Sequence, residues 1–189
     1  KKAKKVKQRA FDGASYGRLV SDWITSGSSI DTEVSSSLPT IRNRTRELVR
    51  NNDYAKNLIR EIKNNVVGRG FTFQCHIKQQ RGDKLNEKLN DKIEIEFYRW
   101  GKKKNCNAAG KLSFAQIQQV VISNVAESGE AIVRLITKKF GDSTVPLALQ
   151  ILDSDLLDET YNAVSENGNS IRMGVEVDVW GRPLFYYFH

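Results

Sequence analysis

The sequence predicts an α+β fold: an N-terminal extended arm and a group of helices, followed by a mostly antiparallel β region. Three observations carry this expectation. Apolar residues recur at helical spacing through 41–66, 85–100 and 113–127. From about residue 131 onward, short apolar or alternating runs are separated by turn residues. The first 37 residues follow neither rhythm.

Residues 1–10 read as a basic disordered tail, because Lys1, Lys2, Lys4, Lys5, Lys7 and Arg9 crowd together without apolar partners. Residues 11–37 read as an extended arm or linker. Trp23 and Ile24 are its apolar anchors, and Ser26–Ser29 and Ser35–Ser37 mark flexible stretches. Residues 38–189 read as one α+β domain, incomplete at its C-terminus. The chain has no initiating Met and stops at Phe188-His189 inside an expected strand, so a piece of a longer protein is expected.

Within that domain, Pro39 suits the first turn of a helix. The rhythm Ile41, Leu48, Ala55, Leu58, Ile59, Ile62, Val66 predicts two helical runs, joined near Asn51-Asn52-Asp53 with Asp53 as the new cap. Gly68 and Gly70 should end the second run and turn the chain. Phe71, Phe73, Cys75 and Ile77 alternate with polar residues as a half-buried strand would, placing Cys75 in a core. Leu85, Leu89, Ile93, Phe97 and Trp100 predict a third helix, and Gly101–Gly110 a basic, polar loop. Ser113-Phe-Ala-Gln116 is a capping-box pattern opening a helix to about Glu127. Strands are expected at 131–136, 145–152 and, after an Asn167-Gly168-Asn169 turn, from Ile171 to Val179. Gly181-Arg182 should then fold 184–188 back as a hairpin.

The composition is that of an ordinary globular chain: 189 residues, 39% hydrophobic and 28% charged. No apolar run approaches membrane-spanning length, and no apolar core follows the basic start, so neither a span nor a signal peptide is expected. Two cysteines, Cys75 and Cys106, make no disulfide framework. The net charge is +8, of which six comes from the first nine residues, leaving about +2 elsewhere.

No catalytic set assembles. Gly13-Ala-Ser15-Tyr-Gly17 matches a nucleophile elbow in letters, but a lysine tail stands where that motif needs a buried strand, and only His76 and His189 could serve as base. Gly101-Lys102 and Gly110-Lys111 lack the rest of a phosphate loop, since Asn105 and Leu112 occupy its key positions. Two cysteines and two histidines make a poor metal set, so no metal or cofactor is expected. Asp153, Asp155, Asp158 and Glu159 follow a strand, where a Mg2+-dependent nuclease could hold its ion; a capped, solvated turn is the simpler reading. Arg42, Arg46 and Arg50 fall at i, i+4, i+8 on one helix stripe. They suit either a contact to DNA or a neighbouring subunit, or a solvated face.

Several motifs fall in an order that resembles the N-terminal part of the lambda-type phage portal proteins. They are Ala10-Phe-Asp-Gly-Ala14 with Trp23; Arg44-x-Arg46-x-Leu48-x-Arg50-Asn51-Asn52 running into Asn65-Val-Val-Gly68-x-Gly70; and Phe97-x-x-Trp100. Next come Gly110 with Phe114 and Gln118; Ser128-Gly-Glu130; and Leu149-Gln-Ile-Leu-Asp153-x-Asp155-Leu156. Last is Gly174-Val-Glu-Val-Asp178 with Gly181-Arg182-Pro183 and Tyr186-Tyr187. Asn107 departs from the pattern, standing where the family often has Asp.

The resemblance implies a wing-like α+β region of a non-enzymatic structural subunit. That subunit would form a dodecameric ring at one capsid vertex, a channel for DNA packaging and ejection. Its implied partners are its own copies, the terminase large subunit, the head–tail connector, capsid or scaffold proteins, and double-stranded DNA without sequence preference; no membrane is implied. Its implied location is the virion, and the host cytoplasm during assembly. The structural residues it marks are Arg46, Arg50, Asn51, Asn52, Gly68, Gly70, Gly181, Arg182 and Pro183. The alternative reading is a DNA-binding accessory module built on the basic tail and the helices at 38–66.

The tail makes the first testable expectation. Six cations engaged on duplex DNA should give a log–log salt slope of about −5. Deleting residues 1–9 should remove most of the affinity in a salt titration. Binding that survives with an unchanged slope would move the contact to the Arg42–Arg50 stripe.

Overall fold

The computed structural model describes Arg18 and residues 27–189. The fold is α+β. Among the described residues five helices come first: α1 Ile30–Asn51, α2 Asp53–Val66, α3 Glu87–Trp100, α4 Lys103–Cys106 and α5 Phe114–Ser128. A two-stranded antiparallel sheet of β1 Ile132–Ile136 and β2 Ala148–Leu152 follows. A four-stranded antiparallel meander completes it, with β3 Ala163–Val164, β4 Ser170–Arg172, β5 Val175–Val177 and β6 Pro183–Tyr186 in sequential order.

The first helix begins earlier than expected. It starts at Ile30, so residues 30–37 are helix rather than arm, and Pro39 lies inside it. The Ser29 hydroxyl caps it by accepting from the Thr32 N–H, and Asp31 and Glu33 sit in the positive first turn. Ser35 and Ser36 donate their hydroxyls to the carbonyls of Thr32 and Glu33, so the serine run joins the helix instead of breaking it.

Asn52, not Asp53, separates α1 from α2. Its N–H closes α1 on the Leu48 carbonyl at 2.8 Å, and its side-chain oxygen accepts from Tyr54 and Ala55 N–H at 2.9 and 3.2 Å. One extended residue thus ends one helix and starts the next. Helices α1, α2 and α5 pack on one another. Gly68 and Gly70 turn the chain after α2, with φ of 55° and 97°. At Gly70 a side chain is also excluded, because a Cβ would stand 2.6 Å from that of Ala115 on α5.

The segment 71–77 is extended but joins no sheet; a single bridge, Lys78 to Leu85, is all the strand pairing nearby among the described residues. Helix side chains take its backbone groups instead. Gln118 accepts from Phe71 N–H, Glu94 from Cys75 N–H, and Asn90 both accepts from Ile77 N–H and donates to the Ile77 carbonyl. Alternation predicted the extended shape correctly but not the partner. Cys75 is only half-buried, while Cys106 is fully buried.

The core gathers Trp100, Cys106, Ile117 and Leu149, with Phe97 and Phe114 against them. Trp100 stacks 5.0 Å from Phe114 and donates its indole N–H to the Leu147 carbonyl at 2.7 Å. The expected polar loop 101–110 contains α4 and enters this core. Asn105 is fully buried because both ends of its amide are used: it donates to the Arg99 carbonyl and accepts from the Asp142 N–H. Asn107 accepts from the N–H groups of Lys111 and Leu112 and donates to the Leu149 carbonyl. A carboxylate could not make that donation, which gives the departure from Asp a physical purpose here. Helix α5 carries the expected capping box of Ser113 and Gln116 and ends at Gly129 in the left-handed conformation.

The expected long strand 171–179 is two strands. Met173 and Gly174 have φ of 49° and 75° and make a two-residue hairpin turn between β4 and β5. Asn162 accepts from the Met173 N–H, and Gly174 accepts from the Tyr187 N–H. The hairpin at Gly181 forms as expected. The Asp178 carboxylate accepts from the N–H groups of Trp180 and Arg182, and Pro183 opens β6. Among the described residues no helix is long and apolar enough to cross a membrane.

Gly174 gives a sharp test. A Cβ there would lie 2.6 Å from the Asp158 carbonyl oxygen, on top of the left-handed strain. Gly174→Ala should cost about 2–4 kcal/mol in urea unfolding. Gly168→Ala, equally left-handed but with nothing within 4 Å, should cost only about 1 kcal/mol. Equal losses would refute the packing argument.

Candidate functional site

The densest charged constellation forms where α1 crosses the ends of α5 and β2. Arg42 and Arg46, one helical turn apart, project from the same side of α1. Glu130 follows the Gly129 cap of α5. Asp153, Asp155 and Glu159 come from the turn after β2, where Asp153 caps a short 3-10 turn, Ser154–Leu156, by accepting from the Asp155 N–H.

Arg42 is at the centre, with its side chain 3% exposed. Its Nη2 donates to Glu130 Oε1 and Glu159 Oε1, each at 2.6 Å, and its Nη1 to Asp155 Oδ1 at 3.0 Å. Arg46 donates through Nη1 to Asp155 Oδ2 at 2.5 Å, and through Nη2 to Asp153 Oδ1 and Ser154 Oγ, each at 3.2 Å. The two oxygens of Asp155 therefore bridge the two guanidiniums. The planar fork of arginine suits such shared contacts, as a lysine ammonium would not.

Two cations face four carboxylates, so the cluster carries excess negative charge. Burial works to lower the Arg42 pKa, but the bonds to Glu159 and Asp155 and the charge of Glu130 outweigh it and raise it. Glu130 is pushed up by burial; the pull of Arg42 opposes this, and the charges of Glu159 and Asp155 reinforce it. Asp155 goes the other way: the hydrogen bond from Arg46, aided by Arg42, holds it below the ordinary carboxylate range against the effect of burial.

The structure thus divides the expected arginine stripe. Arg42 and Arg46 are spent inside the chain, whereas Arg50 is exposed in the last turn of α1. Asn51 and Asn52 lie at the α1–α2 joint, Gly68 and Gly70 beside α5, and Gly181, Arg182 and Pro183 in the β5–β6 hairpin, well separated in the fold. Lys4, Lys5, Lys7, Arg9, Trp23 and the Gly13–Gly17 match lie outside the described residues. The acidic run after β2 was expected to be either an ion site or a solvated turn. It forms a capped turn with Asp153 and Asp155 more than half exposed, and in addition it receives Arg42 and Arg46, 107 to 117 residues earlier in the chain. Among the described residues no group of three or more His, Cys, Asp or Glu is arranged to hold a metal ion.

A second polar set sits in the meander. Glu176, 3% exposed, accepts from Asn169 Nδ2 at 2.8 Å and from Tyr187 Oη at 2.7 Å. These bonds hold its carboxyl below the ordinary range, and the same contact raises the Tyr187 phenol. Both sets perform the same kind of chemistry: they lock separate elements together by charge-assisted hydrogen bonds.

Comparison with known proteins is direct. The sequence pattern described as "Phage portal protein, lambda family" matches residues 16–189. A curated protein of Halomonas phage phiHAP-1, named "Probable portal protein", is 35% identical over 185 residues, covering 95% of this chain. The chain spans 35% of that relative's length.

Removing Arg42 should expose what the clamp does. Arg42→Ala leaves half-buried Glu130 and Glu159 and exposed Asp155 without their shared cation and should cost about 2–3 kcal/mol. Arg42→Lys should recover little of it, because a compact ammonium lacks the spread planar fork that reaches all three carboxylates. Without Arg42, Glu130 would titrate still further above its unfolded value, so its protonation would favour the folded state. The deficit relative to the parent should then be largest near about pH 7 and shrink toward about pH 5. A deficit in urea midpoint that grows as pH falls would contradict this.

Proposed function

We propose a structural role, since this chain belongs to the lambda family of phage portal proteins. In this reading the protein is a subunit of a closed ring at one capsid vertex. The ring shapes the channel through which DNA enters and leaves, and it offers docking surfaces to the terminase large subunit and the head–tail connector. Copies of the same chain are its main partners, as a dodecamer, with capsid or scaffold proteins around it. It is assembled in the host cytoplasm and resides in the virion. The role is that of a shaped wall and a platform, with ATP hydrolysis left to the motor partner. The observation that carries the proposal is the family match across nearly the whole chain.

The ion-pair cluster supports this reading against the nuclease alternative. Asp153, Asp155 and Glu159 direct oxygens at guanidiniums rather than at an open ion position. It also weakens the accessory-module reading, because Arg42 and Arg46 are the residues that would have faced DNA. For a ring subunit, stiffness at the junction of helices and sheet has an evident use. A wall must keep its shape while DNA is driven past it.

Ring closure is the decisive test. Repeated head-to-tail contact between identical surfaces closes a ring without two-fold pairs. Light scattering and negative-stain imaging of the protein at the length of its phage relative should show one large closed species. A stable two-fold dimer, with no larger ring at any concentration, would overturn the proposal. Cleavage of supercoiled DNA in Mg2+ that disappears in Asp155→Ala would favour the nuclease instead.

A further inference from the structure

Two lysine-rich segments that are remote in sequence meet on the surface of the fold. Lys102, Lys103 and Lys104 lie at the start of α4, and Lys138 and Lys139 follow β1. Directional contacts fix the two segments against each other. Fully buried Asn105 accepts from the Asp142 N–H at 3.0 Å and donates to the Arg99 carbonyl. Gly141 lies against the same turn with φ of 60°, and a Cβ there would collide with the Asn105 amide oxygen. Lys104 Nζ closes the contact on Asp142 Oδ2 at 3.0 Å. Lys139 stands two residues before Gly141, a reach of at most about 7 Å.

The acids beside this surface are already engaged. Asp142 holds Lys104, and Glu96 takes bonds from Arg99 and from the Thr144 hydroxyl. Residues 97–111 and 131–141 contain no Asp or Glu. Lys102, Lys103, Lys138 and Lys139 are exposed, and among the described residues they make no ion pair. Lys138 lies over Phe140, with Nζ 5.6 Å from the ring centroid. The fold thus holds like charges close together with no internal anion to balance them. Their mutual repulsion is a cost that a bound polyanion would offset.

We propose that the surface formed by Lys102, Lys103, Lys138 and Lys139 binds the phosphate backbone of duplex DNA without sequence preference. The chemistry of the surface favours a phosphate backbone over an acidic protein. Protein interfaces centre on desolvated aromatic or apolar anchors. Here Thr137 and Gly141 are small, and the ring of Phe140 already lies beneath Lys138. A duplex needs only exposed, mobile point charges, since its affinity comes from releasing condensed counterions. This contact is additional to the N-terminal lysine tail and separate from Arg42 and Arg46, which the acidic turn after β2 already holds. The inference rests on the charges and geometry of one chain and does not require ring closure.

Two measurements on the full chain test it. The first is the salt dependence of fluorescence anisotropy with a short labelled duplex of random sequence. Replacing Lys102, Lys103, Lys138 and Lys139 together by Gln should make the log–log salt slope shallower by about 3 to 4. A control variant removes the same net charge at Lys56, Lys84, Lys88 and Lys92, which are exposed elsewhere, and should leave the slope nearly unchanged. Equal effects of the two variants, or none from the first, would overturn the proposal. The second is lysine acetylation of the parent chain, mapped by mass spectrometry. Duplex DNA should protect Lys102, Lys103, Lys138 and Lys139 and leave Lys84 and Lys88 reactive. Protection by polyglutamate but not by DNA would assign the surface to an acidic protein and refute the DNA contact. Both readouts are taken per chain, so failure of ring closure would leave them standing.

Discussion

The burial of Arg42 constrains the rest of the molecule. A guanidinium taken out of water is tolerated only when hydrogen-bonding anions surround it, and each anion must be delivered by a rigid element. Glu130 can arrive only if α5 ends at Gly129, and Asp155 and Glu159 only if the chain turns just after β2. The position of α1 on the body is therefore specified by directional bonds, in contrast to the slack that apolar packing allows. Excess negative charge makes the arrangement intolerant of losing a cation. Arg46 shares this duty by engaging the second oxygen of Asp155.

Elsewhere the same economy of polar groups replaces sheet and helix ladders. Among the described residues the extended run after Gly70 joins no sheet, and side-chain amides and carboxylates of α3 and α5 serve its backbone instead. Asn105 and Asn107 do this for the loop that enters the core, and Glu176 for the meander. Buried polar groups are costly unless bonded, so each one fixes a unique arrangement of the elements it joins. The apolar core around Trp100 supplies cohesion, while these bonds supply direction.

The residues through which the chain resembles its family are largely of this kind. Arg46, Asp153 and Asp155 belong to the clamp, Asn52 joins two helices, and Glu176 and Tyr187 bond each other. Asp178, with Gly181, shapes a hairpin. A family signature made of fold-locking contacts, with no nucleophile or ion ligand in it, is what a wall-forming subunit would need to preserve. It fits the proposed ring, in which the shape of each copy is the function.

The α+β class, the family, the α5 capping box, the joint near Asn51-Asn52 and the glycine turns were all legible in the residues alone. These rest on short-range periodicity, on caps and turns within a few residues, and on a string of motifs in order. The start of α1 was placed too late, because serine composition suggested a linker while a single cap at Ser29 and local hydroxyl bonds sustain a helix. Residues 171–179 read as one strand, because the apolar odd-numbered run continues unbroken through a two-residue turn across which the buried face passes from Ile171 to Glu176. That Arg42 and Arg46 face Glu130, Asp153, Asp155 and Glu159 emerged from the folded chain and from nothing else. The stripe and the acidic run were both visible, but they stand about a hundred residues apart. Nothing local in either records which oppositely charged group the fold will bring to it.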